Sequence, residues 1–324
     1  MAFSSCTFTA TLRTPLTPLP SLRRSPPHTT LISQFIVTKP LRCSLRLNSS
    51  STIGVNPKKF ECKASSSMAE TTTEKGKGKV QVFDTEDELA VSLAKYIADL
   101  SDKYSKERGF FTVVLSGGSL IKSLRKLAEP PYIDSVDWKK WYVFWVDERV
   151  VPTHHEDSNY KLALDGFLSK VPIRSGQIFA IYDGLLAKDA ADVYETYLEQ
   201  LVEITIIDIS EATGLPKFDL MLLGMGPDGH VASLFPGHPL VQATKPLVAF
   251  LKDSPKPPLR RITFTFPVIN SSANIALVVA GASKADAVNV ALGNGQSSDL
   301  LPVQMVSPEG ELTWFLDKEA ASKL

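Results

Sequence analysis

The chain of 324 residues has little cysteine, and all of it lies near the amino terminus. The three cysteines are Cys6, Cys43 and Cys62, which leaves residues 68–324 with none. A disulfide, a thiolate nucleophile and a cysteine-ligated metal are therefore excluded from that region. Long apolar runs are missing too, because the longest, such as Ile275–Ala280, fall well short of the roughly 18 residues that a membrane-spanning helix requires. We expect no membrane span.

Two motifs that mark common enzyme classes are also absent. The sequence contains no Walker loop with G-K-[ST] and no G-x-S-x-G nucleophile elbow. Because the body lacks cysteine as well, a covalent serine or cysteine intermediate is not expected. If the protein is a hydrolase, activation of a water molecule is the simpler mechanism.

Charge is balanced over the whole chain but not along it. Lysine and arginine number 35, as do aspartate and glutamate, yet residues 1–67 hold nine of the bases and a single acid, Glu61. That segment is therefore strongly basic, and residues 68–324 carry a formal charge of −8. An acidic body argues against a nucleic acid or an anionic membrane surface as the main partner.

Residues 1–67 have the composition of a targeting segment. They are rich in serine and threonine, almost free of acids, and lack the compact apolar stretch of a secretory signal. We interpret them as a transit peptide, plastidic rather than mitochondrial because of the many hydroxyl side chains; a disordered tail is the alternative. Cleavage is expected near residues 60–68, followed by a linker over 68–78. Met68 offers an internal start that would give a cytosolic product.

Residues 79–324 alternate short apolar runs with amphipathic segments, which predicts a single domain in which strands and helices alternate. This pattern is typical of an α/β fold with a mostly parallel, twisted, Rossmann-like sheet and helices on both faces. Ligands bind such sheets beyond the carboxyl ends of the strands. The predicted strands are Val80–Phe83, Phe110–Leu115, Trp141–Val146, Phe218–Leu223, 246–251, 260–266 and 274–280, and the predicted helices are 85–103, 120–127, 187–204 and 284–292.

Three polar clusters follow predicted strands and should meet at the same edge of the sheet. Ser116–Ser119 contains two glycines before a predicted helix, which suits the close approach of a phosphate to free backbone N–H groups. A plain tight turn is the alternative. Asp147–Arg149 places three charges directly after an apolar strand, where they either face a ligand or simply begin a solvated loop.

The most informative cluster is the glycine-rich stretch Gly224–Pro236. Its glycines allow a compact loop that brings Asp228 and His230 close together. Histidine is well suited to accept a proton from water near neutral pH, which indicates a general base, and a structural histidine is the alternative. The adjacent His154 and His155 raise a metal hypothesis, but their spacing does not support it, so an exposed loop is preferred there and no metal is expected.

Eight segments can be read in order as a set: Leu115–Ser119, Trp145–Arg149, Val151-Pro152, Ser158–Tyr160, Gly224–His230, Ala232–Pro236, Ser254–Pro258 and Gly281–Ala285. Together they resemble the 6-phosphogluconolactonases, over about residues 79–320. The shorter Gly-x-Gly-x-x-Gly-His core is shared with glucosamine-6-phosphate deaminases, which follow the histidine with a segment unlike Ser233–Pro236. The whole set is therefore more specific than its core.

The resemblance implies a fold of the sugar-phosphate isomerase/deaminase type and the hydrolysis of 6-phospho-D-glucono-1,5-lactone to 6-phospho-D-gluconate, without a metal or organic cofactor. The substrate is a small sugar-phosphate lactone of the oxidative pentose phosphate pathway. Because a δ-lactone is an activated ester, one general base and charge stabilisation at the carbonyl are enough. A glucosamine-6-phosphate isomerase/deaminase-like enzyme and a non-catalytic sugar-phosphate sensor are the alternatives.

Applied to this chain, the resemblance suggests a role for each candidate residue. His230 would be the base on water, Asp228 would orient it, and Arg149 or a backbone N–H would stabilise the oxyanion. Further substrate contacts are expected from Ser116, Asp147, Asn159 and His155. The phosphate would be bound by Gly117, Gly118, Ser119, Lys284 and Arg261, with the adjacent Arg260 as the alternative to Arg261.

The last three residues, Ser322, Lys323 and Leu324, form a peroxisomal import address when they stand at a free carboxyl terminus. An accidental helix end over Asp317–Leu324 is the alternative. Plastid import reads the amino-terminal segment and would act first, so we expect a chloroplast protein with a peroxisomal minority. The import receptors of both organelles would then be partners.

Overall fold

The structure is a computed structural model that describes residues 71–72, 78–297 and 299–324. The predicted transit peptide and most of the predicted linker lie outside these residues. The described residues belong to one compact unit, Ala64–Leu324, and none of their helices has both the length and the hydrophobicity to cross a membrane.

The strands are β1 (Thr71–Thr72), β2 (Lys79–Phe83), β3 (Phe111–Leu115), β4 (Trp141–Trp145), β5 (Asp147–Arg149), β6 (Asp208–Ile209), β7 (Pro216–Lys217), β8 (Leu220–Leu223), β9 (Val248–Leu251), β10 (Arg261–Phe264), β11 (Asn274–Val279) and β12 (Glu311–Asp317). The α-helices are α1 (Glu86–Glu107), α2 (Leu120–Ser123), α3 (Tyr132–Ser135), α4 (Asn159–Gly166), α5 (Ala187–Glu203), α6 (Phe266–Asn270) and α7 (Ala285–Leu292).

A seven-stranded sheet runs through this unit in the order β1-β2-β12-β11-β8-β3-β4. The six strands from β2 to β4 are parallel, and β1 joins the edge antiparallel to β2. Leu115 at the end of β3 pairs with Trp145 on β4 and with Leu222 on β8, so these three strands end at nearly the same level. The prediction of an α/β fold with a mostly parallel sheet is confirmed.

Helices cover both faces of the sheet. Successive side chains of a strand point to opposite faces, so each strand contributes to two cores, one under each layer of helices. On β3, Val113 and Leu115 pack in the core that contains Leu89 of α1. Val114 enters the other core, with Tyr194 of α5. All five residues of β3 are buried, which explains why four of them are apolar instead of alternating with exposed polar residues.

Some predicted boundaries shift, and eight of the strands and helices given above were not predicted. Thr85 caps α1, since its side chain accepts a hydrogen bond from the Glu88 N–H, and the helix continues beyond its predicted end at residue 103 to Glu107. The helix predicted after Ser119 is only the short α2, followed by a 3-10 helix over Leu124–Ala128. The unpredicted strand β12 lies inside the sheet between β11 and β2. The other unpredicted elements are the strands β1, β5, β6 and β7 and the helices α3, α4 and α6.

A smaller antiparallel sheet, β5-β10-β9, stands beside the carboxyl end of β4. Its first strand is the charged cluster Asp147–Arg149, in which Asp147 and Glu148 are buried. The alternative interpretation of this cluster as the start of a solvated loop is therefore wrong. The backbone of this strand pairs with β10, and the Asp147 and Glu148 side chains are buried beside the pairing.

Candidate active site

The loops that follow four neighbouring strands, β11, β8, β3 and β4, meet beyond the carboxyl edge of the sheet and line a cavity of about 230 Å³. The chain leaves β3 towards β4 and leaves β8 towards β11, so the connections diverge between β3 and β8. Such a point is where open α/β sheets bind ligands. The residues predicted from the sequence that line the cavity are Ser116, Gly117, Gly118, Ser119, Asp147, Arg149, Asn159, His230, Arg261 and Lys284.

His230 and Asp228 lie at the end of the loop that follows β8. The imidazole Nδ1 is 2.6 Å from Asp228 Oδ1, and the ring packs against Phe235 with centroids 4.7 Å apart. Gly226 leaves room for this pair, because a Cβ at that position would lie 2.0 Å from the imidazole Nδ1 and 2.6 Å from Asp228 Oδ1. The pair therefore requires glycine at position 226.

The surroundings keep the imidazole neutral and the carboxylate ionised near neutral pH. Burial lowers the pKa of His230; Asp228 acts in the opposite direction, and the Lys256 ammonium adds to the lowering. Burial alone would raise the pKa of Asp228, but hydrogen bonds from His230 and Lys256 outweigh it and bring this pKa to about 2. With Nδ1–H donating to Asp228, the imidazole lone pair is on Nε2, which can accept a proton from water.

Lys256 lies beside the Asp228–His230 pair and was not among the residues predicted for the site, although its segment Ser254–Pro258 is part of the resemblance. Its Nζ lies 3.0 Å from Asp228 Oδ1 and 3.2 Å from His230 Nδ1. No local pattern could reveal this contact, since 26 residues separate Lys256 from His230. The only indication in the sequence was that Lys256 belongs to the segment Ser254–Pro258, one of the eight that carry the resemblance.

The turn after β3 and a lysine after β11 line the same cavity. Gly118 has a φ of +69°, which favours glycine, and Gly117 has no space for a Cβ, which would lie 1.9 Å from Asn159 Oδ1. Lys284 ends the short 3-10 helix that follows Gly281, and burial, assisted by Lys256, lowers its pKa. A cation and a glycine-rich turn can together receive an anionic group.

The two arginines of the site have different surroundings. Arg149 donates from Nη1 to the Asp157 carbonyl at 2.8 Å, while its buried Nε has no partner among the described residues. Arg261 is only 3% exposed and donates to the three successive carbonyls of residues 256–258 at 2.9 to 3.0 Å. Arg261, and not the exposed Arg260, lines the cavity. Most of its N–H groups are engaged by the protein, however, so it organises a loop more than it offers donors to a phosphate.

Strand β5 supplies the buried carboxylates of the site. Asp147 accepts a hydrogen bond from the Ser233 hydroxyl at 2.7 Å, and its carbonyl accepts one from Asn159 Nδ2 at 2.9 Å. The Glu148 carboxylate accepts three backbone N–H groups at 2.7 Å, two of them at the start of α4. Burial raises the pKa of Glu148 to about 7, although these hydrogen bonds act in the opposite direction. Glu148 thereby ties α4, and Asn159 with it, to β5.

His155 does not line the cavity. Its side chain is 44% exposed, and its Nδ1 accepts the backbone N–H of Asp157 at 3.1 Å within its own turn. The geometry therefore does not support the expected substrate contact from His155. The neighbouring His154 is exposed as well. Within residues 71–72, 78–297 and 299–324, no three histidine, cysteine, aspartate or glutamate side chains come together as a metal site would require.

Comparison with known proteins shows the family to which this sequence is similar. Residues 84–314 match the model of the glucosamine-6-phosphate isomerases/6-phosphogluconolactonase family. The chain is 70% identical over 247 residues to "Probable 6-phosphogluconolactonase 4, chloroplastic" of Oryza sativa subsp. indica, which covers 76% of each chain. It is 62% identical over 259 residues to "6-phosphogluconolactonase 3, chloroplastic" of Arabidopsis thaliana, covering 80% of this chain and 79% of that one.

A solved structure supports the same assignment. The crystal structure of the 6-phosphogluconolactonase from Thermotoga maritima is similar with a TM-score of 0.62 and 28% identity, over 74% of this chain and all of that one. The chain belongs to the glucosamine-6-phosphate isomerase/6-phosphogluconolactonase family. The resemblance found in the sequence is confirmed.

Proposed function

We propose that the protein is a carboxylic ester hydrolase that converts 6-phospho-D-glucono-1,5-lactone to 6-phospho-D-gluconate in the oxidative pentose phosphate pathway. The family and the names of its plant relatives support this function. The observation that carries it is the cavity, in which His230 beside an ionised Asp228 shares one space with a glycine-rich turn and Lys284. Such a site provides both a base for water and a place for a phosphate.

In the proposed mechanism, His230 Nε2 takes a proton from a water molecule as the water oxygen attacks the lactone carbonyl carbon. Asp228 orients the imidazole and stabilises the imidazolium that forms. Arg149 or a backbone N–H stabilises the negative charge that develops on the carbonyl oxygen. The bond from the carbonyl carbon to the ring oxygen then breaks, and the imidazolium returns its proton to that oxygen. The products are a carboxylic acid, which releases its proton to solvent to become the carboxylate, and a free hydroxyl group.

The phosphate of the substrate lies, in this proposal, between the turn Gly117–Ser119 and the Lys284 ammonium. Both line the cavity on the side of β3 and β11, whereas Asp147 and Asn159 line it from β5 and α4. Asp147 and Asn159 are therefore assigned to the sugar, and Ser116, directly before the turn on the β3 side, is proposed as a further substrate contact. Arg261 acts on the phosphate at most indirectly, since residues 256–258 occupy most of its donors.

The test is a substrate comparison with the full-length protein. We expect hydrolysis of 6-phosphogluconolactone well above the spontaneous background and no ammonia from glucosamine-6-phosphate. Ammonia release without lactone hydrolysis would favour the isomerase/deaminase alternative. Binding of 6-phosphogluconate without turnover of either substrate would favour the sensor.

We propose residues 79–324 as the lactonase domain, preceded by a transit peptide over 1–67 and a linker over 68–78. The chloroplastic names of the relatives support a plastid protein. A peroxisomal minority is proposed from Ser322, Lys323 and Leu324, all three of which are exposed.

A fusion experiment tests the peroxisomal proposal. A fluorescent protein is joined to the amino side of Met68 so that Leu324 stays free, and the same fusion is made without the last three residues. We expect punctate peroxisomal signal from the first and diffuse cytosolic signal from the second. Diffuse signal from both would exclude the peroxisomal proposal.

A further inference from the structure

Lys256 approaches the Asp228–His230 pair from a separate part of the chain. Its Nζ is 3.0 Å from Asp228 Oδ1 and 3.2 Å from His230 Nδ1, while those two atoms are 2.6 Å apart. A cation, a carboxylate and an imidazole thus form a compact triangle. The mechanism proposed above uses only the carboxylate and the imidazole.

Buried groups hold the backbone that carries Lys256. Arg261 donates to the three successive carbonyls of residues 256–258. The buried Ser254 hydroxyl accepts the Lys256 N–H at 3.3 Å and donates to the Lys256 carbonyl at 2.8 Å. Both sides of this residue are therefore fixed, and its side chain, 39% exposed, ends with the ammonium against the pair.

The hydrogen-bonding capacity of each group decides how the triangle is arranged. An ammonium only donates and a carboxylate only accepts, so both Lys256 and the imidazole Nδ1–H donate to Asp228 Oδ1. The ammonium also lies close to Nδ1, where it disfavours a positive charge on the ring. Removing Lys256 would leave His230 beside a carboxylate that no other cation of the described residues pairs with.

Other groups around His230 act in both directions. The carboxylates favour the imidazolium, whereas the cations and burial favour the neutral ring. The surrounding groups are Asp228 on the same loop, Asp147 on β5, Lys256, Lys284 after β11, and Phe235 with the Arg261 guanidinium 5.5 Å from its ring centroid. Lys256 is the cation that lies at hydrogen-bonding distance from the imidazole.

We propose that Lys256 is a positioning residue for the lactonase reaction: its ammonium, held by the Arg261-bound loop, fixes the Asp228–His230 hydrogen bond and keeps His230 uncharged at working pH. The proposal rests on the proposed function, because the uncharged imidazole matters there as the base on water. The proposal gives the Ser254–Pro258 segment a role in positioning the imidazole instead of in binding the substrate.

The test compares Lys256→Met, which keeps the length of the side chain without its charge, with Lys256→Arg, which keeps a charge. Lys252→Met is the matched control, since Lys252 is exposed and its Nζ contacts the Phe250 ring instead of the site. All are made in the full-length protein, and kcat/KM for the lactone is measured between about pH 5 and 8, the range in which histidine titrates.

For Lys256→Met we expect the acidic limb of the profile to move up by about one pH unit, as the loss of a neighbouring cation predicts. On the acidic side of both profiles kcat/KM then falls about tenfold, and most of the loss is recovered at higher pH. Lys256→Arg and Lys252→Met should follow the wild-type profile. A uniform loss at every pH, a raised KM with an unmoved limb, or no change at all would each overturn the proposal.

A second measurement separates this proposal from the proposed function. The His230 ring is titrated by NMR in the free wild-type and Lys256→Met proteins, which needs no substrate. We expect the pKa of His230 to be higher in the variant. An unchanged His230 titration overturns the role of Lys256 even in an active lactonase. A shifted titration in a protein without lactonase activity supports that role and refutes the function.

Discussion

The two ends of the parallel sheet both bury polar side chains, but they use them differently. At the amino end, the Asp219 carboxylate is 2% exposed and accepts the Thr112 N–H at 2.8 Å and the Thr112 hydroxyl at 2.9 Å, besides pairing with the Arg108 guanidinium. At the carboxyl end, Ser116 Oγ and Asn159 Oδ1 are buried without a partner among the described residues. Protein groups satisfy the first cluster, whereas the second surrounds a cavity.

This difference separates stability from function. Buried polar groups normally find hydrogen-bond partners in the protein, so the unpartnered Ser116 Oγ and Asn159 Oδ1 beside the cavity need an explanation. A cavity that receives a polar ligand is such an explanation. The comparison therefore predicts that changes at the amino end reduce stability and spare the kinetics of the folded protein. Changes at the carboxyl end should do the reverse.

The largest expected effect is at the amino end. Asp219→Ala leaves the Arg108 guanidinium without its carboxylate and the Thr112 N–H without an acceptor. Breaking a largely buried pair in this way costs about 3–5 kcal/mol. Denaturant unfolding should show this loss, with kcat/KM per folded molecule unchanged. The exposed Asp134→Ala is the control, and a stable Asp219→Ala with impaired kinetics would break the comparison.

At the carboxyl end, Gly226→Ala should cost activity on the order of 10²-fold, because a misplacement of about 1 Å at a catalytic group has that effect. The new Cβ would lie 2.0 Å from the His230 ring, so the imidazole must move. Gly176→Ala is the matched control, since a Cβ there meets nothing within 4 Å. Steady-state kinetics with near wild-type kcat for Gly226→Ala would show that His230 does not act from its position beside Gly226.

A change at Glu148 should affect both stability and activity, because this buried carboxylate also holds Asn159, which lines the cavity. Glu148→Gln replaces one carboxylate oxygen with an NH₂ group that cannot accept the backbone N–H groups at the start of α4. We expect a loss of about 1–3 kcal/mol in unfolding free energy, the cost of an unsatisfied buried group. A reduced kcat/KM should accompany it as Asn159 shifts. Glu156→Gln, in an exposed loop, should change neither quantity, and an unaltered Glu148→Gln would remove Glu148 from the support of the site.

The smallest expected effect concerns Lys284. If its charge binds the phosphate equally in the ground and transition states, Lys284→Ala raises KM with little change in kcat. An increase of about tenfold corresponds to about 1.4 kcal/mol of lost binding. The exposed Lys318→Ala provides the control. An unchanged KM for the lactone in Lys284→Ala would place the phosphate elsewhere.

The sequence predicted the location of the site better than its details. Apolar runs ending in Ser116, Asp147 and Gly224 predicted three parallel strands, and the carboxyl ends of parallel strands lie together. β12 was missed because its place inside the sheet depends on pairing with β2, more than 200 residues earlier in the chain. Such a partner leaves no local signal.

The same limit applies to single side chains. Lys256 contacts His230 across 26 positions of the chain, from a loop whose carbonyls Arg261 binds. Arg261 was assigned to the phosphate since the sequence could not show that backbone carbonyls engage it. His155 shares a loop with site residues, but that loop turns its side chain towards Asp157. Proximity along the chain was a poor guide in each case.

Whether His230 is the base on water is decided by the kcat/KM of the His230→Ala variant. The variant is measured in the full-length protein, against the spontaneous hydrolysis of the lactone and at a folded fraction matched to wild type by unfolding curves. We predict an unchanged unfolding midpoint and a fall in kcat/KM of about 10²- to 10⁴-fold, which is what a positioned base contributes. A folded His230→Ala protein with near wild-type kcat/KM would contradict the account.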